Sequence, residues 1–129
     1  MTKDEQAIRE GVELAPGWEW TESKHGTTFS RHFGEPGSLE YKHDFISFWI
    51  SDPECDEDVR FGLAALAADL RDTVNATGAY YVNCYPNLTV VERRSIDYQS
   101  ASRHKGDNCD MNTIHAVVKF YRAHPEFKP

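Results

Sequence analysis

Apolar and polar residues alternate over the first third of the chain and then give way to helical spacing. Before the alternation begins, Ile8, Val12 and Ala15 follow i, i+4, i+7, with Asp4 and Glu5 in the first turn where the helix dipole favours them. This predicts a helix over 2–14. Gly11 weakens it by about 1 kcal/mol relative to Ala, and Pro16-Gly17 stops it. Trp18 and Trp20 then alternate with polar residues, as do Phe29, Arg31 and Phe33, a period-two pattern that predicts two strands. Ser23-Lys-His-Gly26 fits the turn of a hairpin between them, with Gly26 able to take positive φ. After a polar turn at Gly34-Glu-Pro-Gly37, the near-continuous apolar run from Leu39 to Ile50 predicts a central strand covered on both faces, with Phe45 and Trp49 on one face and Phe48 on the other.

Asp52-Pro53-Glu54 marks the next boundary, with Asp52 placed to cap and Pro53 suited to the first helical position. Val59, Leu63, Leu66, Leu70 and Val74 step by four, three, four and four, which puts them in one stripe on a helix of five or six turns. Gly78 suits the left-handed cap that would end it. Ala79–Tyr85 and Leu88–Glu92 read as hairpin strands around Pro86-Asn87, with the second strand continuing through Ile96 and Tyr98. Ser100 to Asn108 reads as a polar loop. The last segment fits two periods: Met111, Ile114, Val117, Val118 and Tyr121 are helical, while Ile114, Ala116, Val118 and Phe120 alternate. The helical pattern is longer, Asp107 or Asp110 supplies a cap, and a helix is expected.

The resulting order is α-β-β-β-α-β-β-α. Hairpins dominate it, so the expected fold is α+β: a mainly antiparallel sheet of about five strands with helices on both faces, an α/β/α sandwich. The 129 residues, 40% of them hydrophobic, form one domain spanning 1–129. A net charge of -7 excludes a generally cationic nucleic-acid binder. No apolar run reaches the roughly 18 residues of a membrane span, and the charged N-terminus does not read as a secretory signal. Three widely spaced cysteines (55, 84 and 109) without a CxxC pair read as reduced thiols in a cytoplasm. The sequons at Asn75 and Asn87 are then coincidental.

Several segments together carry a family likeness. These are Ala15-Pro-Gly-Trp-Glu-Trp20 leading into strands, the helix Gly62–Arg71, the hairpin Tyr80–Val91 and the closing Asn112–Arg122. In order of elements and placement of aromatics, most of the chain resembles the small phage proteins of the phage ABA sandwich domain family. The resemblance implies a phage accessory protein, cytoplasmic in a bacterial host. It brings no catalytic residues with it.

Charge is distributed unevenly. Arg93, Arg94, Arg103 and Lys105 lie within thirteen positions whose only acid is Asp97. With Tyr98, Ser100, Ser102 and His104, they offer cationic donors and hydroxyls just before an expected helix N-terminus, the chemistry a phosphate or nucleotide requires. The order is not that of a Walker A loop. At the other pole, Asp52–Asp58 has five acids in seven positions. Its Glu54, Asp56, Glu57 and Asp58 could dock on a basic partner or simply favour a helix N-terminus. Trp18 or Trp20, if left exposed, would mark a partner surface or a homo-oligomer interface.

Six histidines lack any HxH or HExxH spacing, so no metal is expected, and no cofactor signature occurs. Cys109, beside the basic segment, is the better candidate for an activated thiolate, but no Cys/His/Asn set accompanies it. The leading expectation is a non-enzymatic protein that acts by occupying a host partner, as an accessory or anti-defence factor. The alternatives are a nucleotide- or phosphate-binding protein using residues 93–106 and, more remotely, a small Cys/His enzyme.

Overall fold

The computed structural model describes residues 2–50, 57–95 and 100–129. Helix α1 (Lys3–Leu14) starts at Thr2, whose hydroxyl accepts from the Glu5 amide. Strands β1 (Trp18–Ser23), β2 (Gly26–His32) and β3 (Phe45–Trp49) form one antiparallel sheet with β2 in the centre. A short helix α2 (Leu39–His43), capped by Ser38, lies between β2 and β3. Helix α3 (Glu57–Ala76) leads to β4 (Tyr80–Tyr85), β5 (Leu88–Arg93) and β6 (Ser100–Lys105), a second antiparallel sheet with β5 in the centre. Helix α4 (Cys109–Ala123) and a 3-10 turn (Pro125–Phe127) close the chain.

The α+β class and the antiparallel pairing agree with the pattern of the sequence. The single five-stranded sheet does not: six strands form two separate three-stranded sheets. The helices are the layer they share. Helices α1 and α3 pack on the first sheet, α4 packs on the second, and all three pack on one another. Gly11 makes that convergence possible, because a Cβ there would sit 3.0 Å from Leu70 Cδ1 on α3 and 3.4 Å from Ile114 Cγ2 on α4. The long stripe behaves as expected, with Val59, Leu63, Leu66, Leu70 and Val74 all buried in the core.

Three local expectations are corrected. Residues 100–105 are a strand, not a polar loop; the segment lacks an apolar face because one side meets α4 through Ser102 and His104. Strand β3 is an edge strand, not a central one covered on both faces, and its run of apolar residues is largely exposed. Among the described residues, α2 packs on the outer face of the first sheet at one end, where the His32 ring stacks on Tyr41. The cap of α4 is Asn108, whose side-chain oxygen accepts from the Asp110 and Met111 amides, rather than Asp107 or Asp110. The Asp52-Pro53 boundary and the extension through Ile96 and Tyr98 lie outside the described residues.

Candidate functional site

The strand character of 100–105 decides how the basic segment is used. Successive side chains of a strand point to opposite faces, so the residues expected to converge on an anion are divided. Ser102 turns inward and donates to the Ala116 carbonyl of α4 at 2.7 Å. His104 also turns inward: its ring stacks on His115 with centroids 4.0 Å apart, and Lys119 Nζ donates to its Nδ1 at 2.8 Å. Arg103 and Lys105 take the opposite face and are exposed, opposite Val90 and Leu88 respectively. Ser100 is exposed opposite Glu92. Arg93 is the exposed last residue of β5, and the Arg94 guanidinium lies 5.3 Å above the Tyr81 ring. Tyr98 lies outside the described residues. The helix N-terminus expected to supply amide donors is already occupied by Asn108. Among the described residues, none of Arg93, Arg94, Arg103 and Lys105 is paired with a carboxylate.

The inward half of this segment opens instead on a cleft of about 500 Å³ lined by Thr2, Lys3, Gln6, His104, His115, Lys119 and their neighbours on α1 and α4. His115 Nε2 lies 2.7 Å from Asp4 Oδ1. Burial first, then the neighbouring His115 and Lys119 charges, lower the His104 pKa to about 4, with Asp4 opposing them. His104 is therefore a neutral acceptor for Lys119 at physiological pH. Arg122, on the rim, is held by Glu10. His115, Lys119 and Lys3 were not expected here, because the cleft depends on packing α1 against α4 and β6, a long-range contact with no local signal.

The partner residues read from sequence are also rearranged. Trp18 is 7% exposed and donates from Nε1 to Asp69 Oδ2 at 2.7 Å; the same oxygen accepts from Arg31 Nε at 3.0 Å. It is a core residue anchored by a polar tip and presents no partner surface. Trp20 is half-buried and donates to Glu22 at 3.1 Å. Glu57 and Asp58 are exposed in the first turn of α3, where the macrodipole favours them. Glu54 and Asp56 lie outside the described residues.

Exposed aromatics occur instead one strand further on. The register pairs Thr21 with Thr28 and Thr28 with Trp49, and His32 with Phe45, which places both aromatics on the outer face of the first sheet. Phe45 is 52% exposed and Trp49 55%. Ile46, on the same edge strand, and Leu39 of α2 are also exposed, and Phe61 of α3 is 69% exposed. An alternating strand with large side chains on a solvent-facing side is a departure from the usual polar-out pattern. Comparison with family models, with curated proteins and with solved structures finds no match for this chain.

Proposed function

We propose that the chain is a non-enzymatic binding protein that works by occupying a protein partner, and that its docking surface is the apolar margin of the first sheet. The observation that carries this reading is the exposure of Phe45, Ile46 and Trp49 on one edge strand. Aromatic residues on a solvated edge are aggregation hazards unless a partner uses them. On the resemblance to phage accessory proteins, the partner is a host protein and the outcome is its inhibition or diversion. The acidic first turn of α3 would favour a partner with a basic rim, mainly by steering the encounter.

A photo-crosslinking residue at position 49 tests this directly. The expected result is one crosslinked partner whose affinity falls at least tenfold in Trp49→Lys, with the melting temperature little changed. A partner whose crosslinks map to β6 or α4, or whose affinity is indifferent to Trp49→Lys, overturns the reading.

A second reading is favoured by the cleft at Lys3, His104, His115 and Lys119, where, among the described residues, the Lys119 ammonium donates to two neutral acceptors, the Arg103 carbonyl and His104 Nδ1. A phosphate-bearing ligand would be held there by charge-assisted hydrogen bonds. Thermal shift with inorganic phosphate and a nucleotide panel should then respond to Lys119→Ala and not to Arg103→Ala, whose side chain takes the other face. Equal loss in both variants, or no shift with any phosphate compound, sinks this reading.

A further inference from the structure

Cys84 lies on the face of β4 that meets the start of α4. Its Sγ is 3.4 Å from Thr113 Oγ1, and the Thr113 hydroxyl donates to the Cys109 carbonyl one turn earlier at 3.1 Å. Cys109 is the first residue of α4. Both cysteines are exposed; Cys109 and Thr113, one turn apart, share a face of α4, which sets Cys109 beside the residue that Cys84 touches. Burial, the nearby Cys84 and Asp110 push the Cys109 thiol above its ordinary range, with Arg71 opposing. The resting form of Cys109 is thus a protonated thiol. Thr89, which faces Cys84 across the hairpin, is fully buried and hydrogen-bonded to Thr113 at 3.3 Å. The backbone that carries both cysteines is accordingly held in place from beneath.

We propose that Cys84 and Cys109 form a dithiol site that a low-molecular-weight disulfide, such as oxidised glutathione, converts to an intramolecular disulfide tying the β4–β5 hairpin to the first turn of α4. One cysteine thiolate attacks a sulfur of the reagent, and a glutathione thiolate leaves and takes up the proton. The second cysteine thiolate then attacks the protein-bound sulfur of the mixed disulfide and releases a second glutathione. The protein loses two electrons and two protons, and the reagent gains them. A lone surface cysteine would stop at the mixed disulfide; the neighbouring thiol carries the reaction on to the internal bond. The site makes the chain responsive to the thiol–disulfide balance of its compartment, and it does not depend on the docking reading.

The test uses the full chain with Cys55→Ser, which removes the third thiol. After incubation with oxidised glutathione in mildly alkaline buffer, intact-mass measurement should show the loss of two hydrogens, no retained glutathione and no alkylatable thiol, with the protein still monomeric on a non-reducing gel. Peptide mapping should find Cys84 joined to Cys109. In the same background, Cys84→Ser and Cys109→Ser should each retain one glutathione. Stable glutathione adducts on both cysteines of the Cys55→Ser protein, a disulfide-linked dimer, or two thiols that remain alkylatable would each overturn the proposal. The decisive measurement is made on the protein with both cysteines present, so it stands even if a serine variant folds poorly.

Discussion

The two sheets solve the same problem with different chemistry. The first meets the helices through rings: Trp18, Phe29 and Phe48 form a cluster with centroids 5.4 to 6.4 Å apart, and Gly62 of α3 lies directly over it. The second meets α4 mostly through small residues, with Cys84, Thr89, Val91 and Ser102 touching or facing the helix, and sets a single ring, Tyr80, against Phe120 at 4.7 Å. Their outer faces differ in the opposite sense. On the second sheet the Tyr81 hydroxyl and the Asn83 amide both donate to Glu92, and Arg94 covers the Tyr81 ring. On the first sheet Phe45 and Trp49 each keep about half of their surface in solvent. One outer surface is mostly tied together by its own polar groups, with Tyr85 half-exposed at its end; the other sets two half-exposed aromatics on one edge strand. This contrast, more than net charge, locates the proposed docking surface.

The strongest way to break the comparison is to remove the ring at its centre. Phe29 is fully buried between Trp18 and Phe48, so Phe29→Ala should cost about 3–5 kcal/mol. Val91→Ala, at the equivalent depth of the second sheet, removes two methyl-sized groups and should cost about 2 kcal/mol. Chemical denaturation of both variants checks this. Equal losses would mean that the aromatic cluster has no special part in holding the first sheet.

Gly62 sharpens the same point through the sign of an effect. In an open helix Gly→Ala stabilises by about 1 kcal/mol. Here the added Cβ would lie 2.5 Å from Phe48 Cγ and 2.8 Å from Phe29 Cζ, so Gly62→Ala should destabilise, by about 1–3 kcal/mol. A rise in melting temperature would show that the rings can move aside.

These positions also separate what local spacing reveals from what only tertiary packing creates. The stripe from Val59 to Val74 was legible because one apolar face at helical spacing has no other use. The hairpin turns were legible because Gly26 and Asn87 supply the positive φ that they adopt, 134° and 61°. Strand β6 was not legible: Ser102 and His104 face α4 through hydrogen bonds, so neither face of the strand is apolar. The short helix α2 was hidden within an apolar run that reads as strand. The candidate site suffered most from this, because treating 100–105 as a loop let side chains converge that a strand must send to two faces. The cleft at His115 and Lys119, the Asp69 clamp and the Cys84–Cys109 pair are all made by long-range packing, to which local spacing is blind.

A smaller effect is expected at Asp69, a polar link between the aromatic cluster and α3. Its Oδ2 accepts from both Trp18 and Arg31, while the Asp69 and Arg31 side chains keep 26% and 36% of their surface. Asp69→Ala should therefore cost about 1–2 kcal/mol, closer to a hydrogen-bond loss than to a buried ion pair. Loss as large as that of Phe29→Ala would shift weight from the rings to the clamp.

At the seam of the second sheet the expected response is to pH, and it is smaller again because solvent screens the half-exposed ring. The His104 pKa is about 4 in the fold against an ordinary 6.5. The unfolded chain therefore binds more protons between these values, and the contribution to stability is full above about pH 6.5 and lost as the pH falls toward about 4. Melting curves across that window should slope downward with acidification, and His104→Gln should flatten the slope. An unchanged slope in the variant would place the sensitivity elsewhere.

The smallest effect on stability belongs to Phe61, and it tests the comparison most directly because it sets one phenylalanine against another. Phe29 and Phe61 are the same residue type, one in the first sheet and one on the helix that covers it. With 69% of its surface already exposed, Phe61 has little burial to lose, and Phe61→Lys should change stability by less than about 0.5 kcal/mol. If it is part of the docking margin, the same substitution should weaken partner binding severalfold, since a lysine cannot be desolvated against an apolar surface without loss. A stable protein with weakened binding assigns the exposed aromatic to function and the buried one to folding. A stable protein with unaltered binding confines the docking margin to Phe45 and Trp49 on β3.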